Sequence, residues 1–318
     1  MSSRRYKTLY HYCSLETFLN IIKNSSIWLS DIRKSNDKRE MSWFRQQYYE
    51  FLLDKYNSTD DANVKIICET IFSIATKDGF DKCPLWLTAA SNEYSQKLMD
   101  LFGSLRVYAF CLSELSDSLG QWRGYANNGN GIAIGFSKKY LDAISGYSLR
   151  CPTFNFLIGN VSYRKSFSSL FEKMFDMHDK NKFDEFVLHA MMDLTHASAL
   201  FKHPSFKEEK EWRIIYSMDD YGITKQMLNF DNFDSISSDE YKRNFGIPKI
   251  DYNVKDTDII PHIEIKLNDL SKAIDCIVIG PKCTVTEKDI RHILLRFGVL
   301  NSFDDKSIKI IRSNSSYR

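Results

Sequence analysis

The sequence predicts an α+β fold in which small mixed sheets carry helical insertions. Short strand-like segments, among them residues 8–12, 27–31 and 274–279, are separated by helical segments at irregular intervals. A doubly wound parallel sheet would need a more regular alternation of strands and helices. No G-x-G-x-x-G follows a strand, and G-x-x-x-x-G-K-[ST] does not occur. The sequence therefore excludes the Rossmann and P-loop nucleotide sites.

We expect a single domain over residues 1–318 with three insertions. Apolar residues at helical spacing predict helical insertions near 39–103 and 165–203. Residues near 218–258 are polar and aromatic with few core signals, which predicts an irregular insertion. A chain of this length can bury a substantial core.

Local sequence signals mark the ends of two helices. Ser14 can cap the helix that follows the first strand. Thr286 can cap a second helix, with Asp289 at the capping-box position, and Gly298 is placed to end that helix.

Composition excludes several classes of protein. The 43 basic and 41 acidic residues give a net charge of +2, so no global field attracts nucleic acid or membranes. The seven cysteines are scattered without a C-x-x-C pair, which predicts reduced thiols and no metal site. Neither a signal peptide nor an apolar run of membrane-spanning length is present. We therefore expect a soluble, cytoplasmic protein with no membrane partner.

A polar segment lies between two strands at residues 107–112 and 132–136. It brings together Gln121, Trp122, Arg123 and Tyr125, beside several glycines. Polar residues held between core strands are typical of a site displayed by a rigid fold. The alternative is a wide loop whose Trp and Tyr cover the edge of the core.

Further candidate residues follow or begin predicted strands. His11, Tyr12, Ser30 and Ser113 stand at such strand ends, although His11 taken alone favours a partly buried, hydrogen-bonded histidine over a ligand-binding one. The run 207–211 leads into a strand and has a solvated charged surface as its alternative.

On a strand, Glu209 and Glu211 would share one face, with Trp212 on the other. Their repulsion would raise at least one pKa unless a cation lies beside them.

The segments that carry these residues resemble a known bacterial family. They are YHYCSLETFLNIIKNSSIWLSDIRKSND, FCLSE, QWRGYANNGNGIAIGFS, FKEEKEWRIIY and IVIGPKC. They resemble a domain family formerly of unknown function that occurs in phage-defence and mobile-element contexts. That family is similar to the ADP-ribosyltransferase superfamily, which has a His or Arg on the first strand, a mid-chain Ser or Tyr motif and a later Glu. A clean Ser-Thr-Ser is absent here, and residues 112–114 (LSE) stand where it would be.

The resemblance implies an ADP-ribosyltransferase-like fold and NAD as a substrate, with no metal. Glu211 would be the catalytic carboxylate, with Glu209 as the other Glu of an E-x-E pattern. His11 would bind the ribose on the adenosine side. The implied NAD-binding residues are His11, Tyr12, Ser30, Ser113, Trp122, Arg123 and Tyr125. Arg123, and also Arg33, could pair with the pyrophosphate.

The expected function is an NAD-dependent ADP-ribosyltransferase, acting as a toxin or effector in antiviral defence. It is similar to messenger-RNA-modifying toxins of toxin–antitoxin–chaperone systems, which makes an antitoxin a possible partner. A nucleic acid acceptor, RNA rather than DNA, is favoured by Trp122, Arg123 and Tyr125. Basic residues after the second strand favour it too, namely Arg33, Lys34, Lys38 and Arg39. The alternatives are an NAD glycohydrolase, or a non-catalytic sensor of a nucleotide or phage protein.

Overall fold

The computed structural model describes residues 7–35, 41–75, 105–145, 156–176, 194–219, 250–255 and 257–317. Ten strands and nine α-helices are labelled here in chain order. They are β1 (Thr8–Cys13), α1 (Leu15–Asn24), β2 (Ser26–Asp31), α2 (Ser42–Ser58), α3 (Ala62–Ala75), β3 (Leu105–Ser113), α4 (Leu119–Tyr125), β4 (Ile132–Ser137), α5 (Lys138–Ile144), β5 (Phe156–Asn160), α6 (Ser168–Asp176), α7 (194–200), β6 (Glu211–Asp219), β7 (Ile250–Lys255), β8 (Asp258–Lys266), α8 (Leu270–Ala273), β9 (Ile274–Ile279), α9 (Glu287–Arg296) and β10 (Lys309–Arg312).

The strands form one forked, mixed sheet. Strands β10, β9, β4 and β1 lie side by side on one arm, and β2, β8 and β7 on the other, with β3 between them. The far edge of β3 pairs along its whole length with β6, which pairs in turn with β5. Only β9 and β10 are parallel among the described pairs. The prediction of mixed α and β structure is confirmed, but the strands join in one sheet instead of separate small sheets.

The fork lies along one edge of β3. Strand β2 pairs with this edge at Tyr108 and Ala109, and β1 pairs with it at Ser113 alone. In the described structure, the three residues 110–112 pair with neither strand on that edge. Because the two arms diverge here, the sheet opens into a gap beside β3.

The main core covers one face of the sheet. Strand β4 is buried almost throughout, and it pairs with β1 on one side and β9 on the other. Helices α1 and α9 pack their apolar faces against these strands. Both helices begin at the capping residues that the sequence predicted. The Ser14 hydroxyl accepts from the Thr17 N–H at 3.1 Å, and Thr286 and Asp289 form a complete capping box. Continuous burial of β4 explains its near absence of polar residues.

A second core unites both predicted helical insertions. Side chains from α2, α3, α6 and α7 pack in one aromatic-rich cluster, whose members include Phe44, Tyr48, Phe171 and Leu194. Helices α2 and α3 show helical structure in the first part of the predicted insertion near 39–103. Residues 76–103 of that insertion lie outside the described residues. The two insertions, distant in sequence, thus support each other in space.

The predicted irregular insertion is wrong at both of its ends. Strand β6 continues through residue 219, and residues 250–255 form β7, which pairs with β8 in a hairpin. Tyr252 and Val254 alternate as in a strand, but both are exposed. Residues 250–255 alternate apolar and polar side chains as a strand does, but this short pattern lies within a largely polar stretch that outweighed it. Residues 220–249 lie outside the described part.

The link from α4 to β4 is a tight loop. Asn127 and Asn128 both take left-handed backbone conformations, with φ of 46° and 55°. The Gly131 N–H then donates to the Ala126 carbonyl at 2.9 Å. A Cβ at Gly131 would lie 2.1 Å from the Cys13 carbonyl oxygen. Only glycine therefore lets this loop pack against the end of β1, which fixes α4 over the fork.

Gly131→Ala should destabilise the fold by more than about 3 kcal/mol, because backbone on both sides prevents relaxation. The matched control is Gly124→Ala, since a Cβ at Gly124 meets nothing within 4 Å. That control should change the free energy of unfolding by no more than about 1 kcal/mol. Urea unfolding of both variants provides the measurement. Equal stability of the two would contradict the packing described for this loop.

Candidate active-site cleft

A cleft of about 320 Å³, including its open mouth, lies at the fork. Strands β1 and β3, helix α4 and the start of β6 all contribute to its walls. The residues that line it are Tyr10, His11, Tyr12, Cys111, Leu112, Gln121, Tyr125, Glu209 and Glu211. Five of the nine predicted site residues therefore meet in one cavity.

His11 of β1 reaches across the gap to β3. Its Nδ1 lies 2.8 Å from the Cys111 carbonyl oxygen, and its ring stacks on Phe110 at 4.1 Å. A carbonyl oxygen only accepts, so Nδ1 carries the proton and Nε2 is left as an acceptor. Burial lowers the pKa of His11 to about 4, against the opposing effect of the Cys111 carbonyl. The ring is therefore neutral at pH 7 and presents a lone pair for a ligand hydroxyl.

A kinked turn brings the two carboxylates together. Glu209 ends a 3-10 helix (Pro204–Glu209), Lys210 is left-handed with φ 43°, and Glu211 begins β6. The sequence pattern predicted that the two glutamates share one face of a strand. They do not, because only Glu211 lies on the strand. The kink at Lys210 nevertheless points both toward the same cleft. A non-glycine residue in this conformation is strained, and such strain is common at functional sites.

Hydrogen bonds to three other residues hold this turn in place. The Ser113 hydroxyl donates to the Glu209 carbonyl at 2.7 Å, and the Glu114 N–H donates to the Lys210 carbonyl at 3.1 Å. The Glu211 N–H donates to the Tyr163 hydroxyl at 3.0 Å. Every residue of the turn is thus anchored, and the carboxylates are fixed before any ligand binds.

Two buried cations neutralise the carboxylate pair. Arg213, only 1% exposed, donates from Nε and one terminal nitrogen to both oxygens of Glu211, at 2.8 and 2.9 Å. Lys202 Nζ lies 2.7 Å from Glu209 Oε2 and 3.4 Å from Glu211 Oε2. Paired donors of this kind let two carboxylates share one buried site.

These cations decide the protonation of Glu211. Burial alone would raise the pKa of Glu211, but Arg213 and Lys202, with a hydrogen bond from the Cys111 thiol, hold it below its usual value. The sequence pattern predicted a raised pKa unless a cation lay beside the pair. The cations are present, so Glu211 is ionised at neutral pH.

Two tyrosines complete the cleft. The Tyr125 hydroxyl donates to Glu209 Oε1 at 3.0 Å, and its ring is partly exposed at the mouth. The Tyr12 hydroxyl donates to the Leu115 carbonyl and accepts from the Ser118 N–H. Burial raises the pKa of both hydroxyls, and nearby Glu209 adds to the effect at Tyr125. Both phenols stay protonated and act as neutral donors.

Several predicted site residues have other positions. Trp122 is 0% exposed, stacks edge-on against Tyr12, and donates from Nε1 to Asp117 at 2.6 Å. A ligand in the cleft cannot touch it, so the alternative of a core tryptophan is correct. Ser113 is also buried, and its hydroxyl holds the Glu209 turn instead of lining the cavity.

Arg123, Ser30 and Arg33 also lie outside the residues that line the cleft. Arg123 stacks on the ring of Tyr317 at 4.8 Å, and Ser30 pairs with Ala109 within the sheet. Arg33 donates twice to Asp31, so its guanidinium is already paired. None of the three, therefore, directly contacts a ligand in the cleft in this arrangement.

Sequence reasoning assigned no site role to four residues that line the cleft: Tyr10, Cys111, Leu112 and Gln121. Gln121 belongs to the polar segment singled out above, but amide side chains carry no pattern that separates a site from a surface. Cys111 occupies an apolar strand, and its exposure follows only from the fork. Its position at the gap could not be predicted without the topology.

The chain is similar to an uncharacterised domain family over residues 121–214. The matching family model is described as a protein of unknown function (DUF2971). The span includes Gln121, Tyr125, Glu209 and Glu211, whereas His11 lies outside it. The prediction of an uncharacterised domain family is therefore supported over this part of the chain. No curated protein and no solved structure matches the chain.

Neither a membrane span nor a metal-binding cluster is found in the described residues. Among the described residues, no helix is long and apolar enough to cross a membrane. The same part of the chain contains no cluster of three or more His, Cys, Asp or Glu side chains that could hold a metal ion.

Arg213→Met should destabilise the protein by about 3–5 kcal/mol at pH 7, because it leaves the Glu211 charge buried without its main partner. The matched control is Lys34→Met, which breaks the exposed pair with Asp258 and should cost less than about 1 kcal/mol. The double variant Glu211→Met, Arg213→Met should lose clearly less than the sum of the two single changes.

The same pair predicts a pH dependence. The depressed pKa of Glu211 means that its stabilisation is fully present above the unfolded value of 4.5 and is lost as pH falls below it. The stability difference between wild type and Arg213→Met should therefore shrink below pH 4.5. Chemical unfolding at pH 7 and 3.5 measures it, and a difference that grows at low pH would contradict the ionised state of Glu211.

Proposed function

We propose that this protein is an NAD-dependent ADP-ribosyltransferase whose reaction takes place in the fork cleft. The single observation that carries the proposal is the meeting of His11 and Glu211 in one cavity. The first belongs to β1 and the second begins β6, two hundred residues later. The resemblance described above pairs a first-strand histidine with a later-strand glutamate. Their convergence in space is independent of that resemblance.

The groups in the cleft fit the two riboses and the nicotinamide of NAD. Ribose hydroxyls need acceptors. The two carboxylates supply them to the ribose on the nicotinamide side, and His11 Nε2 supplies one to the ribose on the adenosine side. The pyridinium ring carries a positive charge, and the carboxylates of Glu209 and Glu211 with the ring of Tyr125 favour it.

The reaction follows from this arrangement. The bond between nicotinamide N1 and ribose C1′ breaks, and its electron pair stays with N1, so nicotinamide leaves neutral. Positive charge develops on the ribose, and the preorganised carboxylate of Glu211 stabilises it electrostatically. A nucleophilic atom of the acceptor then bonds to C1′ and passes its proton to Glu209, which releases it to water.

The two carboxylates have different capacities for ligands. A carboxylate accepts about four hydrogen bonds. Glu211 already accepts from Arg213, Lys202 and the Cys111 thiol, so a ribose hydroxyl would displace the thiol, the weakest donor. Glu209 accepts only from Tyr125 and Lys202 among its described contacts and retains room for an acceptor.

We further propose a nucleic acid acceptor, with RNA favoured. Trp122 is buried and cannot stack on a base, so the support comes from a neighbouring, partly exposed cluster. Arg123 and Lys282 both lie over the ring of Tyr317, at 4.8 and 4.2 Å. Arg123 is two residues from Tyr125, which lies at the mouth of the cleft. Cations beside a partly exposed aromatic ring suit phosphates and bases.

Glu211→Gln should lower the rate of nicotinamide release from NAD by at least about 100-fold, because the charge that stabilises the reacting ribose is lost. Glu209→Gln should lower transfer to the acceptor more than nicotinamide release. Gly124→Ala is the control with unchanged activity, and urea unfolding shows whether each variant is folded. Near wild-type release from folded Glu211→Gln would overturn the catalytic role of Glu211.

The acceptor is identified in the same assay with labelled NAD and separate RNA, DNA and protein fractions. Label on RNA that falls steeply with added salt supports the proposal. Label on protein alone would refute the acceptor but leave the transferase. Free ADP-ribose alone would make the protein an NAD glycohydrolase, and no release of nicotinamide would refute an NAD-cleaving enzyme.

A further inference from the structure

Gln121 is a buried amide without a partner. It is 8% exposed and lines the cleft from helix α4. Within the described chain, its side chain makes no hydrogen bond. Its amide atoms are not among the fully buried side-chain atoms of the described structure, so they reach solvent in the cleft, and a ligand that displaces this water must replace its hydrogen bonds. Such a group in the wall of a cavity points to a ligand that completes its hydrogen bonds.

The other polar groups of the cleft define what that ligand must offer. The Tyr12 and Tyr125 hydroxyls donate to Leu115 and Glu209, and the Cys111 thiol bonds to Glu211. His11 donates to the Cys111 carbonyl, which leaves only its Nε2 acceptor free. Among the described side chains that line the cleft, Gln121 is therefore the one with uncommitted N–H donors.

We infer that Gln121 binds the carboxamide of nicotinamide and makes it the preferred leaving group. The inference rests on the proposed function. A primary carboxamide has one acceptor and two donors, as Gln121 has, so two antiparallel hydrogen bonds can join the groups. Gln121 and Glu211 are both buried whereas Tyr125 lies at the mouth, so the pyridine ring beside Gln121 and the ribose beside Glu211 both lie below Tyr125.

The carboxamide contact also fixes the orientation of the ring. A flat aromatic ring in an apolar slot can rotate about its axis, whereas paired hydrogen bonds to one edge select a single pose. That pose sets the direction of the N1–C1′ bond relative to Glu211. Gln121 thus acts as a specificity-determining residue, and the charge stabilisation stays with Glu211.

The test measures binding of the free base, so that it does not depend on NAD cleavage. The probes are nicotinamide and 3-acetylpyridine, a neutral analogue that keeps the carbonyl but lacks the NH2 group. Ligand-observed NMR titration gives Kd for wild type, Gln121→Met and the helix control Gly124→Ala. Methionine preserves the length and helix propensity of glutamine while removing both hydrogen-bonding groups.

Wild type and Gly124→Ala should bind nicotinamide about tenfold more tightly than 3-acetylpyridine. Gln121→Met should bind nicotinamide at least about tenfold more weakly than wild type and lose the preference. No detectable binding to wild type, unchanged binding to folded Gln121→Met, or a retained preference would each overturn the inference. If Gln121 instead contacts the adenine of NAD, folded Gln121→Met would bind nicotinamide as wild type does.

The outcome is separable from that of the proposed function. Nicotinamide release from NAD with normal nicotinamide binding by Gln121→Met would reject the inference and leave the transferase. The predicted binding pattern without any cleavage of NAD would keep the carboxamide subsite and reject the enzyme. Failure of both measurements would reject both proposals.

Discussion

The structure depends on one constraint: a single edge of β3 pairs with two different strands, β1 and β2. Strand β2 takes the first part of this edge and β1 takes its last residue. The carbonyl of Cys111 lies in the gap, where an unpaired backbone group would be costly. The His11 ring satisfies that carbonyl and so connects β1 to β3 across the gap. The same bond that completes the sheet selects the tautomer with which His11 faces the cleft.

The electrostatics follow from the depth of the site. A buried carboxylate is stable only when its charge is compensated, and Arg213 and Lys202 provide two cations for two glutamates. The cluster is neutral as a whole, yet its anionic oxygens line the cavity. The cations contact the carboxylates from the protein side, while the side that faces the cleft remains rich in hydrogen-bond acceptors. This polarity suits a ligand that becomes positively charged during its reaction.

Sequence alone predicted the features that depend on neighbouring residues. The caps at Ser14 and Thr286, the buried strand β4 and most helix ends follow from local chemistry, and the structure has them. The site residues His11 and Glu211 were predicted from strand ends and from the resemblance. What the sequence could not provide was the pairing that brings them into one cavity.

The errors have physical causes of the same kind. Glu209 and Glu211 share the cleft through a left-handed Lys210, a conformation that no side-chain alternation reveals. Trp122 is buried because Asp117 accepts its indole N–H, and that acid also accepts from Ser313 and Asn314 near the other end of the chain. Strand β7 was missed because its short alternation of apolar and polar residues lies within a largely polar stretch of sequence.

The most direct test of the account is nitrogen-15 NMR of the His11 ring at pH 7, with and without NAD. A carbocyclic NAD analogue, whose corresponding bond cannot be cleaved, keeps the complex intact during the measurement. We expect a neutral ring with its proton on Nδ1, and an Nε2 resonance that shifts saturably as the analogue binds. A proton on Nε2, a charged ring at pH 7, or an Nε2 resonance that the analogue leaves unchanged would contradict the account.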